Sequence, residues 1–265
     1  MLEIFQYDFM VRAFIAGVTI SILAPLIGMF LVVRRYSLIA DTLSHVSLIG
    51  VALSLIMGIH PIVGAIVTSV LAAIGMEKLR ESKKIFGESV LAIFLSGSLA
   101  VAVILIGLTR SSNINFFAYL FGSITTVSST DLSIIAACAI LTGIILTPLY
   151  QQFFLTSYDE ELAQANGLQV KLLNTTITIL AAVVVSISMR IVGILLIGAL
   201  MVIPVITAMQ YRLSFTKTHI LSVIISLCSC VIGLFLSYYL NLPSGGSIVV
   251  VSLIFFILGM FMNRS

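Results

Sequence analysis

Charge is scarce along these 265 residues: 9% are Asp, Glu, Lys or Arg, against 60% that are hydrophobic. Thirteen basic and ten acidic side chains are too few to cover the outside of a water-soluble domain of this length. Lipid is therefore the expected solvent for most of the chain. Cysteine chemistry is equally thin. Cys138, Cys228 and Cys230 sit inside apolar runs with no paired loop spacing and no C-x-x-C, which leaves them as small packing residues, with no disulfide framework or zinc knuckle. Hydrolytic motifs are missing too. There is no H-E-x-x-H, no G-x-S-G and no second membrane-embedded acid to pair with Asp41, so intramembrane metallo-, serine and aspartyl proteolysis lack their chemistry. Without a G-x-x-x-x-G-K-[ST] loop, any ATP hydrolysis belongs to another polypeptide, and the chain itself reads as no enzyme. The basic residues are spread over several loops and form no nucleic-acid patch. Residues 1–12 carry Glu3 and Asp8 and lack the basic start and cleavage site of a secretory signal, so the first apolar run is expected to be retained.

What the chain has in abundance is apolar runs of the length that crosses a bilayer, about 17–25 residues. They recur at about 13–33, 38–57, 61–76, 89–108, 131–150, 171–188, 191–209, 219–240 and 247–262, the third and last being short. The connecting loops are brief, so the expected fold is all-α: one polytopic transmembrane helical bundle filling 1–265, because lipid permits only structures that satisfy the backbone internally. Short loops rich in Lys and Arg stay on the cytoplasmic side. With nine alternating spans, Arg34, Arg35, Lys78, Arg80, Lys83, Lys84, Lys171, Arg212, Lys217 and Arg264 fall on one side and only Arg12, Arg110 and Arg190 on the other. That bias predicts an outside N-terminus and a cytoplasmic C-terminus. An eight-span arrangement that drops 61–76 would put Arg34 and Arg35 opposite Lys171, Arg212, Lys217 and Arg264, so nine spans are preferred.

Of the acidic residues, Glu88 and Asp131 stand at span ends, Asp41 falls within the first turns of the second span, and the others are assigned to loops or termini. His45 follows Asp41 by four residues, and at about 100° per residue the two side chains share one helix face with Ser44 beside them. An ionisable group at membrane depth costs several kcal/mol unless it is paired or wet, so this face is expected to meet the bundle interior or an aqueous path. A carboxylate neutralises cationic charge and an imidazole supplies a borderline nitrogen donor, a pair suited to a divalent transition metal. The plainer account is that Asp41 caps the second helix and His45 bonds a backbone carbonyl. His60, before Pro61 in an outside turn, and His219, at a cytoplasmic helix start, read as solvated side chains. Arg190, in a tight turn between two spans, is expected to snorkel to the interface.

The loop after the fifth span has a complete helix signature. Ser157 or Asp159 can cap it, Glu160 and Glu161 occupy its first turn with Leu162 and Ala163 following, and Gly167 stands past its end. A short cytoplasmic surface helix of this kind is either a docking feature or a connector. Gly17 with Ser21, Gly193 with Ile197 and Gly198, and Gly97 offer close helix approach. Pro25, Pro148 and Pro204 lie within or at the ends of apolar runs, where kinks are expected.

Four stretches together carry a family resemblance: R-R-Y-S-L-I-A-D-T-L-S-H-V-S-L-I-G-V-A-L at 34–53, F-A-Y-L-F-G-S-I at 117–124, D-E-E-L-A-Q-A-N-G at 159–167 and G-x-L-L-I-x-A-L-M-V-I-P at 193–204. Over essentially its whole length the chain resembles the permeases of bacterial zinc and manganese ABC importers, and Y-L-F-G-S-I looks more like the zinc branch. The resemblance implies the vitamin-B12-type importer permease fold without its first helix. It also implies a homodimer in the bacterial plasma membrane, each copy engaging a cytoplasmic ATPase, with an extracytoplasmic metal-binding protein delivering the ion. Asp41 and His45 then correspond to ion-pathway ligands. Asp159, Glu160, Glu161, Leu162, Ala163 and Gly167 correspond to the segment that couples to the ATPase. The expected activity is ATP-driven import of Zn2+, with Mn2+ or iron as the alternative and no permanently bound cofactor. The rival class is a stand-alone channel or secondary transporter using Asp41 and His45 as a proton or ion site.

Overall fold

A backbone surrounded by hydrocarbon has nowhere to send its amides except along its own helix, and the computed structural model of the chain follows that rule. It describes residues 5–82, 87–108 and 116–262; Lys83, Lys84, Arg110 and Arg264, four of the basic residues used above to orient the spans, lie outside them. The described residues form helices α1 (Asp8–Val33), α2 (Leu38–Met57), α3 (Pro61–Glu81), α4 (Gly87–Leu108), α5 (Phe116–Phe121), α6 (Ser129–Tyr158), α7 (Glu160–Ala165), α8 (Val170–Ser188), α9 (Ile197–Met209), α10 (Phe215–Leu240) and α11 (Ser244–Met262), with a 3-10 turn at Ile124–Thr126. No strand occurs among them.

Eight of these helices are long and apolar enough to cross a membrane. The shortfall from nine falls at the seventh apolar run, whereas the run at 61–76 becomes the 21-residue α3. Pro61 starts that helix at its first position, where its missing N–H costs nothing. The polar residues after Met76 continue it to Glu81. The run at 191–209 instead yields only the 13-residue α9, about 20 Å long against a hydrocarbon core of about 30 Å. Residues 189–196 are turns in which Gly193 takes φ +86°, a left-handed conformation that suits glycine.

That break is tolerated because other segments supply the missing partners. The Ile194 and Leu195 amides donate to the carbonyls of Tyr119 and Leu120 (2.9 and 3.2 Å), and the Ser123 amide donates to the Arg190 carbonyl (3.1 Å). Ser244 Oγ donates to the Ile191 carbonyl at 2.6 Å. The motif at 117–124 is therefore a buttress: α5 and Gly122 lie against the broken strand of chain, and a Cβ on Gly122 would collide with the backbone of Ile191 and Val192.

Packing centres on α1, α2, α8 and α9. α2 packs most extensively on α3 and α4, α8 on α3 and α6, and α1 on α10, α9 and α6. α8 is buried almost all round from Ile177 to Met189, while α4 exposes Ile93, Leu99, Val101, Val103, Ile104 and Leu108, as a lipid-facing helix should. Small residues set the closest approaches. A Cβ on Gly50 of α2 would strike the Gly64 carbonyl and Thr68 Oγ1 of α3, and one on Gly17 would meet Cys230 and Leu234 of α10. Gly97, expected to be a packing glycine, has no described atom within 4 Å of its added Cβ. The prediction is direct: Gly50→Ala lowers thermal stability in detergent by about 1–3 kcal/mol through overpacking. Gly97→Ala is neutral or stabilising by up to about 1 kcal/mol through helix propensity. Melting curves of the two variants separate the cases.

Candidate functional site

Helix α2 carries the membrane-embedded pair. Ser37 occupies its N-cap position without a side-chain cap bond, and Asp41 lies one turn inside the helix, so the capping account of Asp41 does not describe this site. Asp41 and His45 are half-buried, with Thr42, Leu43 and Ser44 between them fully buried. Ser44 Oγ donates back to the Asp41 carbonyl at 2.7 Å, and Ser47 Oγ to the Ser44 carbonyl at 2.6 Å, so neither hydroxyl proton is aimed at the carboxylate. His45 Nδ1 is buried with no hydrogen-bond partner among the described residues. A ring nitrogen held out of water without a partner is a donor in waiting. The Asp41 carboxylate lies against Gly198, in the first turn of α9, where the positive end of a helix lowers the cost of holding an anion in a low-dielectric setting. The break at 189–196 is what brings a helix start to that depth. Among the described residues no group of three or more His, Cys, Asp and Glu could hold a metal ion, so one copy of the chain offers these two donors and no closed cage.

The short helix expected after the fifth apolar run forms as its sequence signature requires. Asp159 Oδ1 accepts from the Leu162 amide at 2.9 Å as the N-cap of α7. Gly167 sits at φ +78° beyond the end, with the Leu168 amide on the Ala163 carbonyl and the Gly167 amide on the Gln164 carbonyl, a Schellman closure. Ala163 is buried; Glu161, Leu162 and Gly167 are exposed. Glu160 is exposed as well, yet its carboxylate is tied to the bundle. Its Oε1 accepts from Arg34 Nη2 at 3.1 Å and from Asn174 Nδ2 at 3.0 Å, and lies 4.0 Å from Arg80 Nη2.

Behind Glu160 runs a polar network that the sequence reading missed. Glu77, assigned there to a loop, belongs to α3 and is 4% exposed. It accepts from Arg80 Nη1 (3.1 Å) and Thr178 Oγ1 (2.8 Å). The guanidinium groups of Arg34 and Arg80 both lie over the Tyr36 ring, 5.3 and 4.7 Å from its centroid. Arg35 takes the left-handed position after α1, with the Tyr36 amide closing on the Leu31 carbonyl, and this turn directs Arg34 inward. Burial, then the neighbouring Arg80, hold the Arg34 guanidinium below its ordinary pKa, while Glu160 and Glu77 oppose them. The Glu77–Arg80 spacing of three was the available signal, hidden because Glu77 follows directly on an apolar run.

At the opposite end of the bundle a second charge cluster corrects two expectations. Arg190 does not snorkel: its Nε stands 3.5 Å from Asp131 Oδ2, and its guanidinium covers the Tyr119 ring at 4.9 Å. His60 is not simply solvated, since its Nε2 lies 3.3 Å from Asp131 Oδ1. Asp131 is fully buried and also closes a capping box with Ser128 at the start of α6. His219 is likewise buried. Its Nε2 lies 3.1 Å from the Leu26 carbonyl and its Nδ1 2.9 Å from Tyr150 Oη. A carbonyl only accepts, so Nε2 carries the proton and Nδ1 accepts from the tyrosine. That is a satisfied core histidine. The clusters thus gather Arg34, Arg80, Glu160 and Asn174 at one end of the helices and His60, Asp131 and Arg190 at the other, the alternation expected of spans that run up and down.

Comparison with known proteins agrees with this architecture. The sequence pattern of the ABC 3 transport family matches residues 6–263. The chain is 38% identical over 94% of its length to a probable metal transport system membrane protein of Treponema pallidum (93% of that protein covered). It is 35% identical over 97% of its length to the manganese import system permease protein ScaB of Streptococcus parasanguinis (91% covered). It is 30% identical over 97% of its length to the high-affinity zinc uptake system membrane protein ZnuB of Haemophilus influenzae (98% covered). Its fold superposes on a chain of PsaBC from Streptococcus pneumoniae in complex with Fab, with a TM-score of 0.88 at 34% identity, covering 98% of this chain and 93% of that one.

The Asp131 cluster generates a stability prediction. Asp131→Ala strips Arg190 of its anion and α6 of its cap, and breaking a buried pair from one side costs about 3–5 kcal/mol. The variant should lose most of its folded yield in membranes, read by size-exclusion of the detergent extract. Unchanged yield and melting would mean the cluster contributes nothing to folding.

Proposed function

This chain belongs to the ABC 3 transport family as the membrane-spanning permease of a metal ABC transporter, and we propose that it carries a first-row divalent transition metal past Asp41 and His45. The observation that carries the proposal is the pairing of a carboxylate with an orphaned imidazole nitrogen one turn apart on α2. One copy supplies too few donors for a closed site, and zinc usually takes four ligands in tetrahedral array. A two-fold axis doubles the set to two carboxylates and two imidazoles without any further residue, and two-fold dimers are the commonest closed assemblies. The two carboxylates would neutralise the dication in a low-dielectric path. Such a cage has to be transient, because a site as tight as a structural zinc site would stall transport.

Zinc and manganese are both in contention, and a specific observation favours each. Tyr119–Ile124 resembles the zinc branch, and the zinc permease ZnuB is 30% identical; the manganese permease ScaB is 35% identical. Nitrogen donors favour zinc and oxygen donors manganese, and one of each per copy leaves the balance open to measurement. The partners that follow are a second copy of this chain, a cytoplasmic ATPase seated on the exposed side of α7, and an extracytoplasmic binding protein at the end marked by His60, Asp131 and Arg190. That arrangement sets the Arg34 end in the cytoplasm, in keeping with the positive-inside rule. A stand-alone carrier has no use for a capped surface helix tied by Glu160 into the bundle.

Two experiments test this reading. In proteoliposomes holding permease, ATPase and binding protein, Asp41→Ala and His45→Ala should each reduce Zn2+ and Mn2+ uptake to background while protein level stays normal. Normal uptake by either variant would reduce the pair to structural residues, and the two wild-type uptake curves rank the metals. Glu160→Ala, which cuts α7 loose from Arg34 and Asn174, should lower the ions carried per ATP hydrolysed several-fold while the ATPase still copurifies. A wild-type ratio would leave α7 a mere connector.

A further inference from the structure

Glycine in a helix can mark the place where another backbone comes close, and several helical glycines here do so. The Cβ positions of Gly28, Gly50 and Gly233 face backbone atoms of Met201, Gly64 and Ile248, on neighbouring helices. Gly198 is different. The three nearest atoms to its added Cβ are Oδ1, Cγ and Oδ2 of Asp41; the methyl would overlap Oδ1 and stand 2.7 Å from Cγ. Gly198 lies within α9 with no left-handed φ, so its backbone does not require glycine, and alanine is the better helix former. What the missing side chain provides is room for one carboxylate.

We propose that Gly198 is a positioning residue for Asp41: the bare surface of α9 sets where that carboxylate stands and so tunes metal affinity in the ion path. This rests on the reading of Asp41 as a ligand to the transported ion. Asp41 is the end of a short side chain with two rotatable bonds, so a methyl at 198 turns it to another rotamer without displacing a helix. The fold survives and the donor moves. Binding sites tolerate displacements of only about 0.5 Å in their donors, and losing the contact that orients a metal ligand lowers affinity about 10–100-fold.

The test uses the full-length permease in nanodiscs for equilibrium binding of Zn2+ and Mn2+, and in proteoliposomes with its ATPase and binding protein for uptake. Gly198→Ala should melt near the wild-type temperature yet bind both metals at least about tenfold more weakly, with uptake falling in step. Wild-type binding and uptake in Gly198→Ala, alongside loss of both in Asp41→Ala, overturns the positioning role and leaves the ligand reading standing. Normal binding and uptake in Asp41→Ala removes the ligand reading and this inference with it. If Gly198→Ala is itself unstable, Asp41→Ala/Gly198→Ala decides the matter. Recovery to the stability of Asp41→Ala alone locates the clash on the Asp41 side chain, as proposed. A double variant still as unstable as Gly198→Ala places the clash elsewhere and overturns it.

Discussion

A backbone amide or carbonyl without a partner in hydrocarbon costs several kcal/mol, and every departure from plain helix in this protein is arranged around that cost. The interruption at 189–196 is sealed by two other segments of chain, 119–123 and Ser244. Tyr119 and Leu120 accept from its amides, the Ser123 amide donates to Arg190, and the Ser244 hydroxyl donates to Ile191. Glycines at 122, 193 and 245 let these pieces approach to backbone contact. Because the interruption is satisfied, α9 can begin inside the bundle instead of at its rim, and a helix start becomes available beside Asp41.

The same accounting explains where charge is allowed. Buried ionic groups survive when they are paired and their remaining lone pairs are bonded. Glu77 has Arg80 and Thr178; Asp131 has Arg190, His60 and the Ser128 cap. Both clusters sit at helix ends, where Glu77 closes α3 and Asp131 opens α6. Asp41 and His45 break the pattern, since among the described residues the carboxylate makes no hydrogen bond and the His45 Nδ1 has no partner. What sets the pair apart is its place: Asp41 and His45 stand on one helix within the bundle, without a charged partner from another helix among the described residues, whereas Glu77 and Asp131 each have an arginine.

Much of this was legible in the residues. Run length located the helices; Asp159, the acids after it and Gly167 announced α7; the i, i+4 spacing placed Asp41 and His45 on one face. The break before α9 was not legible, because Ile191–Leu196 is as apolar as any helix and only Gly193 hints at a left-handed residue. Hydropathy measures the solvent a segment can tolerate, and a buttressed loop tolerates lipid-like surroundings as well as a helix does. The burial of Glu77, His219 and Arg190 was hidden for a related reason. Each owes its place to a partner distant in sequence: Thr178, Leu26 or Asp131. A local window shows at most the Glu77–Arg80 spacing of three and none of these distant partners. The contact of Gly198 with Asp41 spans α9 and α2 and is invisible for the same reason.

Helix α2 runs from the Arg34 cluster to the contact with α9. Tyr36, beneath the Arg34 and Arg80 guanidinium groups, lies in the turn before α2, five residues before Asp41. Arg34 in turn holds Glu160 of α7. A displacement of α7 therefore has a short polar route, Glu160 to Arg34 to Tyr36, to the turn that starts α2. On the far side Asp41 rests on α9, whose first turn is anchored through 189–196 to the end carrying Arg190 and Asp131. Packed interfaces switch between discrete arrangements more readily than they deform. A shift of α2 against α9 would change the surroundings of the Asp41 carboxylate before anything else, because that carboxylate occupies the gap left by a missing side chain. The Asp41–Gly198 contact is thus the one most sensitive to relative motion of the two helices, the property that the proposed transient ion site requires.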